Sequence, residues 1–136
     1  MHRHLERFDR SDPDMTWAMT VYLYNKGKEH YGDAIKWAEN TVENRQRWES
    51  GDQFVENSYN LYKIRSIIST QLWIEAEALY RQDRNPETEA HTEEMRGFAK
   101  DNAREWLDYA RASQKPTKQA FDMCVSASGD SDFCLQ

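Results

Sequence analysis

The sequence predicts an all-α fold built from antiparallel helical hairpins. Apolar residues recur at three- and four-residue spacing, as in Trp17, Val21 and Tyr24. A capping residue precedes proline at Asp12-Pro13 and again at Asn85-Pro86, a helix-start signal in both places. Only five Gly and three Pro occur, so the turns a β fold needs are scarce.

Taken in order, helix 1 is expected from Pro13 to Lys26, with Gly27 ending it. Helix 2 is expected from Tyr31 to Trp48, stopped by Ser50-Gly51. Helix 3 is expected from Asp52 to Arg81, and helix 4 from Asn85-Pro86 to about Ser113. Pro116 is expected to open helix 5, which the Ser/Gly/Asp run from Ser126 to Asp132 ends. The organisation this implies is a tail over 1–12, a hairpin over 13–50, an elongated hairpin over 51–113, and a capping helix with a cysteine-containing tail over 114–136.

A chain of 136 residues suits one domain, or a few repeats sharing a core. Hydrophobic residues are 38% and charged residues 31%, but aromatics reach 12%, too many for a disordered chain. The formal net charge is −6; residues 1–50 carry 8 basic against 9 acidic side chains, and residues 51–136 carry 10 against 15. No basic stripe is present to neutralise phosphates, so nucleic acid is not an expected partner, nor is an anionic membrane surface. No apolar run approaches the ~18 residues that span a bilayer, so membrane insertion is not expected. The N-terminus has no apolar segment of the kind a signal peptide carries.

Helix 4 complements its own dipole, with Glu87, Glu89, Glu93 and Glu94 early and Lys100, Arg104 and Arg111 late. Its apolar stripe is Met95, Phe98, Ala99, Trp106, Tyr109 and Ala110. Lys100, Arg104, Asp108 and Arg111 lie opposite, on a face read as solvated. Glu87, Glu94, Asp101 and Asp108 repeat every seven residues, as a solvated face or as a binding stripe. Helix 3 is apolar nearly all round. Phe54, Leu61, Ile68, Leu72 and Leu79 form one stripe, flanked by Val55, Tyr62, Trp73 and Tyr80 on one side and Ile64, Ile67 and Ile74 on the other. Such a helix is expected to be central. Arg65 and Glu75 intrude on its main stripe; they either pair at the rim of the core or face a groove and touch a partner.

A short internal repeat links helices 2 and 4. Asp33-Ala34-Ile35-Lys36-Trp37-Ala38-Glu39 parallels Asn102-Ala103-Arg104-Glu105-Trp106-Leu107-Asp108, with Ala three residues before Trp and an acid two after. Both tryptophans are therefore expected to be largely buried. The segment Tyr22-Leu-Tyr-Asn-Lys-Gly27, followed by Tyr31-Gly-Asp-Ala34-Ile35-Lys-Trp37-Ala38, resembles a tetratricopeptide repeat. Gly27, Tyr31, Ala34 and Ile35 match the repeat's roles, and Thr41 stands where a second alanine is usual. The likeness covers about residues 13–48 and is weak beyond. It implies a short solenoid of stacked antiparallel hairpins with a C-terminal capping helix. It also implies that Leu5 to Asp12 resembles the end of a preceding repeat, so that the chain would be the C-terminal part of a longer array.

Chemistry is sparse in the sequence. No Gly-rich phosphate loop and no nucleophile elbow occur. His91 lies among carboxylates without metal-ligand spacing, and His2 and His4 offer only a terminal pair. No cofactor and no metal are expected, and no catalytic residue is assigned. Cys124 and Cys134 either form a disulfide, which would favour an extracytoplasmic compartment, or stay two free thiols of a cytosolic protein.

The function expected is a non-catalytic scaffold that binds a protein or peptide. By the resemblance, Trp17, Val21, Tyr24 and Asn25 would lie on the concave binding face, although Trp17 and Val21 also suit packing between helices. Met15 and Met19 are the candidate interface, because helix 2 covers only part of so apolar a helix 1; self-association is one way to cover the rest. The alternative is a structural or oligomerising subunit with no peptide groove. An all-α enzyme is the least favoured reading.

Overall fold

The computed structural model describes residues 9–48 and 52–136. The expectations for His2, His4, the stretch before Asp9 and the Ser50-Gly51 stop lie outside the described residues. The protein is all-α and 85% helical, with helices packed as adjacent antiparallel pairs. Six α-helices occur among the described residues: α1 (Pro13–Lys26), α2 (Tyr31–Glu43), α3 (Asp52–Gln82), α4 (Pro86–Ala112), α5 (Lys118–Ser128) and α6 (Ser131–Leu135). Short 3₁₀ turns stand at Lys28–His30 and Arg45–Arg47. The chain divides into two compact units between Leu61 and Tyr62. That division falls inside α3.

In the first unit, the Asp12 carboxylate caps α1 by accepting the Asp14 N–H at 2.9 Å, with Pro13 at the first helical position. Gly27 ends α1 at a φ of 117°, a region where a β-carbon is strained. The contact between α1 and α2 is made by small residues: Thr16 and Thr20 on one helix, Ala34, Ala38 and Thr41 on the other, all fully buried. The hydroxyl of Thr41 stands 2.8 Å from that of Thr16 and 2.8 Å from the Trp37 carbonyl, so close approach is combined with satisfied polar groups. α2 ends at Glu43, five residues before the expected stop, and Trp48 is extended at φ −65°, ψ 145°. That bend turns the Trp48 indole into a core with Ala38 and Leu61, against which Trp17, Val42 and Phe54 pack.

The second unit holds the rest of α3 with α4, α5 and α6. An Asn85–Thr88 capping box opens α4, with Asn85 Oδ1 accepting the Thr88 N–H at 2.9 Å and Thr88 Oγ1 accepting the Asn85 N–H at 3.1 Å. α3 and α4 run antiparallel, joined near their connection by Thr92 donating to the Ala76 carbonyl at 3.1 Å and farther along by Asn102 donating to Ser69 at 2.5 Å. The buried face of α3 here is mostly small or polar: Arg65, Ser66, Ser69 and Ala76 beside Ile68. Leu79 of the expected apolar stripe is 55% exposed and Ile74 is 50% exposed. Ala120, Cys124 and Ala127 of α5 are buried, as are Ala99, Ala103 and Ala110 of α4, so small residues again suit close packing.

α5 begins at Lys118, one residue past Thr117, rather than at Pro116. Gly129, left-handed at φ 68°, ends it, and Asp130 caps the short α6 by accepting the Asp132 and Phe133 N–H groups. Cys124 and Cys134 form a disulfide. The expected solvated face of α4 is solvated only in part: Asp108 and Arg111 are exposed, while Lys100 and Arg104 are half-buried against the C-terminal segment. Arg96 donates to the Ala127 carbonyl at 2.8 Å, Arg104 to the Phe133 carbonyl, and Arg111 to the Cys134 carbonyl at 2.7 Å. All three carbonyls sit at helix ends left unpaired by the α-helical ladder, where cations are favoured.

Candidate interaction surface

α1 carries most of the residues that the sequence marks for partner binding, and the structure divides them. At 100° per residue, the buried Thr16–Thr20 line has Trp17, Val21 and Asn25 on one flank. Met15, Met19 and Tyr22 occupy the other.

On the first flank, Trp17 packs on the core of Ala38, Trp48 and Leu61. Val21 is half-buried and Asn25 exposed. Tyr24 stacks on Tyr31, rings 5.5 Å apart and tilted by 15°, and so locks the end of α1 to the start of α2. Trp17 and Tyr24 are thus engaged inside the unit.

The second flank is open to a similar extent but carries only large apolar and aromatic groups. Met15 and Met19 are half-buried, and Tyr22 is 56% exposed. The Asp9 N–H donates to Met15 Sδ at 3.3 Å, and the Lys26 ammonium sits 4.9 Å from the Tyr22 ring centroid. Methionine adapts to irregular partners, and a tyrosine with a cation at its face offers both an apolar body and a polar edge. The sequence did not single out Tyr22 as a binding residue; its position seven residues from Met15, on the same helical flank, is the signal that marks it.

In the second unit, Arg65 is only 3% exposed and its guanidinium is bonded to the Glu105 carboxylate. The Tyr62 ring lies 5.4 Å from that guanidinium and also packs on Tyr109. Arg65 is therefore held inside the unit and does not line an open groove. Glu75 is half-exposed on the same helix.

Among the described residues, no group of three His, Cys, Asp or Glu side chains converges as metal ligands would, and no helix is long and apolar enough to cross a membrane. Compared with family models, with curated proteins and with solved structures, the chain has no match.

Proposed function

We propose that the chain is a protein-interaction module that resembles tetratricopeptide repeats, and that its partner lies along the Met15–Met19–Tyr22 flank of α1. The observation that carries this reading is the inversion on α1: its small threonines are buried, while its large apolar side chains are left half-buried or exposed. A helix that needed only to pack on α2 would place the large groups inward. The likeness of Gly27, Tyr31, Ala34 and Ile35 to repeat positions supports the same reading, as does the small-residue contact in which Ala34 takes part. Carried over, the resemblance makes this hairpin one unit of a stacked array, whose outer faces need a neighbour. A second copy of the chain on the same flank is the alternative occupant, favoured by the exposed Tyr22 ring.

The test is affinity capture of partner protein with the intact chain, alongside Tyr22→Glu and Met19→Glu variants and light scattering of each. The reading expects capture by the parent chain and loss in both variants, with the helical circular dichroism unchanged. Equal capture by all three proteins excludes this flank. A parent chain that forms a dimer abolished by Tyr22→Glu assigns the flank to self-association.

A further inference from the structure

α3 has an outer face that the bonds within its unit do not use. α4 is met at Arg65, Ser69 and Ala76, and the Ser66 hydroxyl meets Met123 Sδ of α5 at 3.7 Å. At 100° per residue, Ile64, Ile67, Gln71, Ile74 and Ala78 share the other side of the helix. Ile74 is 50% exposed and Ala78 is exposed, while Ile64, Ile67 and Gln71 are half-buried. None of the five is charged. The outer line of α4 shows what water alone asks of such a face: Glu87, Glu94, Asp101 and Asp108 are all exposed acids.

The five residues are spaced three, four, three and four apart, which is the seam of a coiled coil. Such a seam takes one further helix, and its flank identifies that helix. Lys63, Thr70 and Glu77 run beside the seam at intervals of seven, in the position from which paired helices match charges across the joint. Lys63 makes no ion pair among the described residues. Glu77 holds Arg81 through one carboxylate oxygen at 2.9 Å, and its side chain is 38% exposed.

This flank is complementary to itself when reversed: cation, neutral, anion becomes anion, neutral, cation. An antiparallel second copy of α3 therefore sets Lys63 against Glu77 of that copy at both ends, with Thr70 against Thr70 at the two-fold axis. The same register faces Ile64 with Ile74 of the second copy and Ile67 with its Gln71. Gln71 then lies near the axis, where a polar seam residue fixes register. A parallel copy places Lys63 beside the fully buried Ile68 and Glu77 beside Gln82, so it pairs no opposite charges.

We infer that the chain self-associates through this face, as a two-fold dimer of antiparallel α3 helices joined by Ile64, Ile67 and Ile74 and held in register by the Lys63–Glu77 pairs. The face lies on a different element from the α1 flank, and the substitution that dissolves the dimer tells the two apart.

The test is sedimentation velocity of the full, disulfide-bonded chain at low salt, at concentrations up to about 1 mM. The parent chain is expected to dimerise as concentration rises, and Tyr22→Glu to leave that dimer intact. Ile74→Lys replaces a side chain that is half exposed and puts a cation beside Lys63 of the second copy. It is expected to give a monomer with unchanged helical circular dichroism. Lys63→Glu and Glu77→Lys each turn both pairs repulsive, and each is expected to weaken the dimer about ten-fold at low salt. An equimolar mixture of these two variants makes both pairs attractive again and is expected to recover the parent affinity. A chain that stays monomeric throughout overturns the inference, as does a dimer untouched by Ile74→Lys. A dimer dissolved by Tyr22→Glu overturns it too and assigns the association to α1. A mixture no tighter than the single variants overturns the antiparallel arrangement.

Discussion

The indole N–H of Trp48 donates to the Asp14 carboxylate at 2.7 Å, across 34 residues of chain. This bond ties the first turn of α1 to the residue that follows the second 3₁₀ turn. It explains why Trp48 leaves the helical path: an extended residue there brings the ring inward and its one polar atom to an acceptor. Trp48→Phe should lose the hydrogen bond and part of the ring, costing about 1.5–3 kcal/mol, the range for a bond to a charged group. Trp48→Ala should cost about 3–5 kcal/mol. Urea unfolding of both variants checks the order; equal and negligible losses would mean that the core of the first unit does not depend on this residue.

Trp37 and Trp106 occupy matching places in the internal repeat but differ in burial. Trp106 is fully buried, whereas Trp37 is half-buried with the Arg10 guanidinium 5.4 Å from its ring centroid. Trp106→Ala should therefore cost about 3–5 kcal/mol, and Trp37→Ala only about half as much. Denaturant midpoints of the two variants decide; equal losses would restore the symmetric reading of the repeat.

The Arg65–Glu105 pair joins a buried cation to a carboxylate that is 54% exposed. Removing the exposed partner leaves the guanidinium without its counter-charge, although water reaches that side and softens the loss. Glu105→Gln, which keeps an acceptor, should cost less than ~1 kcal/mol, and Glu105→Ala about 1–2 kcal/mol. Arg65→Ala, which also removes packing on Tyr62, should cost about 3 kcal/mol. Thermal melts that rank Glu105→Ala above Arg65→Ala would contradict this account.

Reduction of the Cys124–Cys134 disulfide, whose cysteines are 10 residues apart, should act on α6 first. The chain-entropy contribution of so short a loop is about 3 kcal/mol. α6 has five residues, too few to persist alone, and without the disulfide it rests on its Asp130 cap, the Arg104 and Arg111 bonds and the Phe133 contacts. Hydrogen exchange after reduction should show residues 131–135 losing protection while the middle of α4 keeps its own. Uniform loss across the second unit would show that the disulfide holds the whole unit rather than its end.

Asp9 gives the described N-terminal segment a pH dependence. Its carboxylate accepts the Ser11 O–H at 2.6 Å and the Ser11 N–H at 2.8 Å, and these bonds, with Arg47 nearby, hold its pKa below the ordinary value of 3.8. A depressed carboxylate pKa stabilises the folded form above the unfolded pKa and stops doing so as pH falls through the folded one. The Asp9–Ser11 turn should thus persist at neutral pH and loosen only below about pH 4. An NMR titration of the Asp9 carboxyl should show a low midpoint that Ser11→Ala raises. An unmoved midpoint would remove Ser11 as the cause.

What the sequence alone determined is the local layer. The all-α class, the starts of α1 and α4 at Asp12-Pro13 and Asn85-Pro86, and the stop at Gly27 are written in residues within one turn of each boundary. Caps and glycine act at that range, so they are legible without knowing what packs on what. Tertiary structure decided the pairing. Thr16, Thr20, Ala34, Ala38 and Thr41 carry little hydrophobic signal, yet they form the α1–α2 contact because small side chains let two helices approach. That choice turned Met19 and Tyr22 outward and left Tyr22 exposed. Trp48 left its helix for an acceptor that lies 34 residues away in the chain. Lys100, Arg104 and Arg111 looked solvated because charge on a helix face usually is; here part of that face meets the carbonyl ends of a C-terminal segment folded back by the disulfide. Each of these outcomes depends on groups distant in sequence, and helical periodicity specifies which residues share a face, not which neighbour that face will meet.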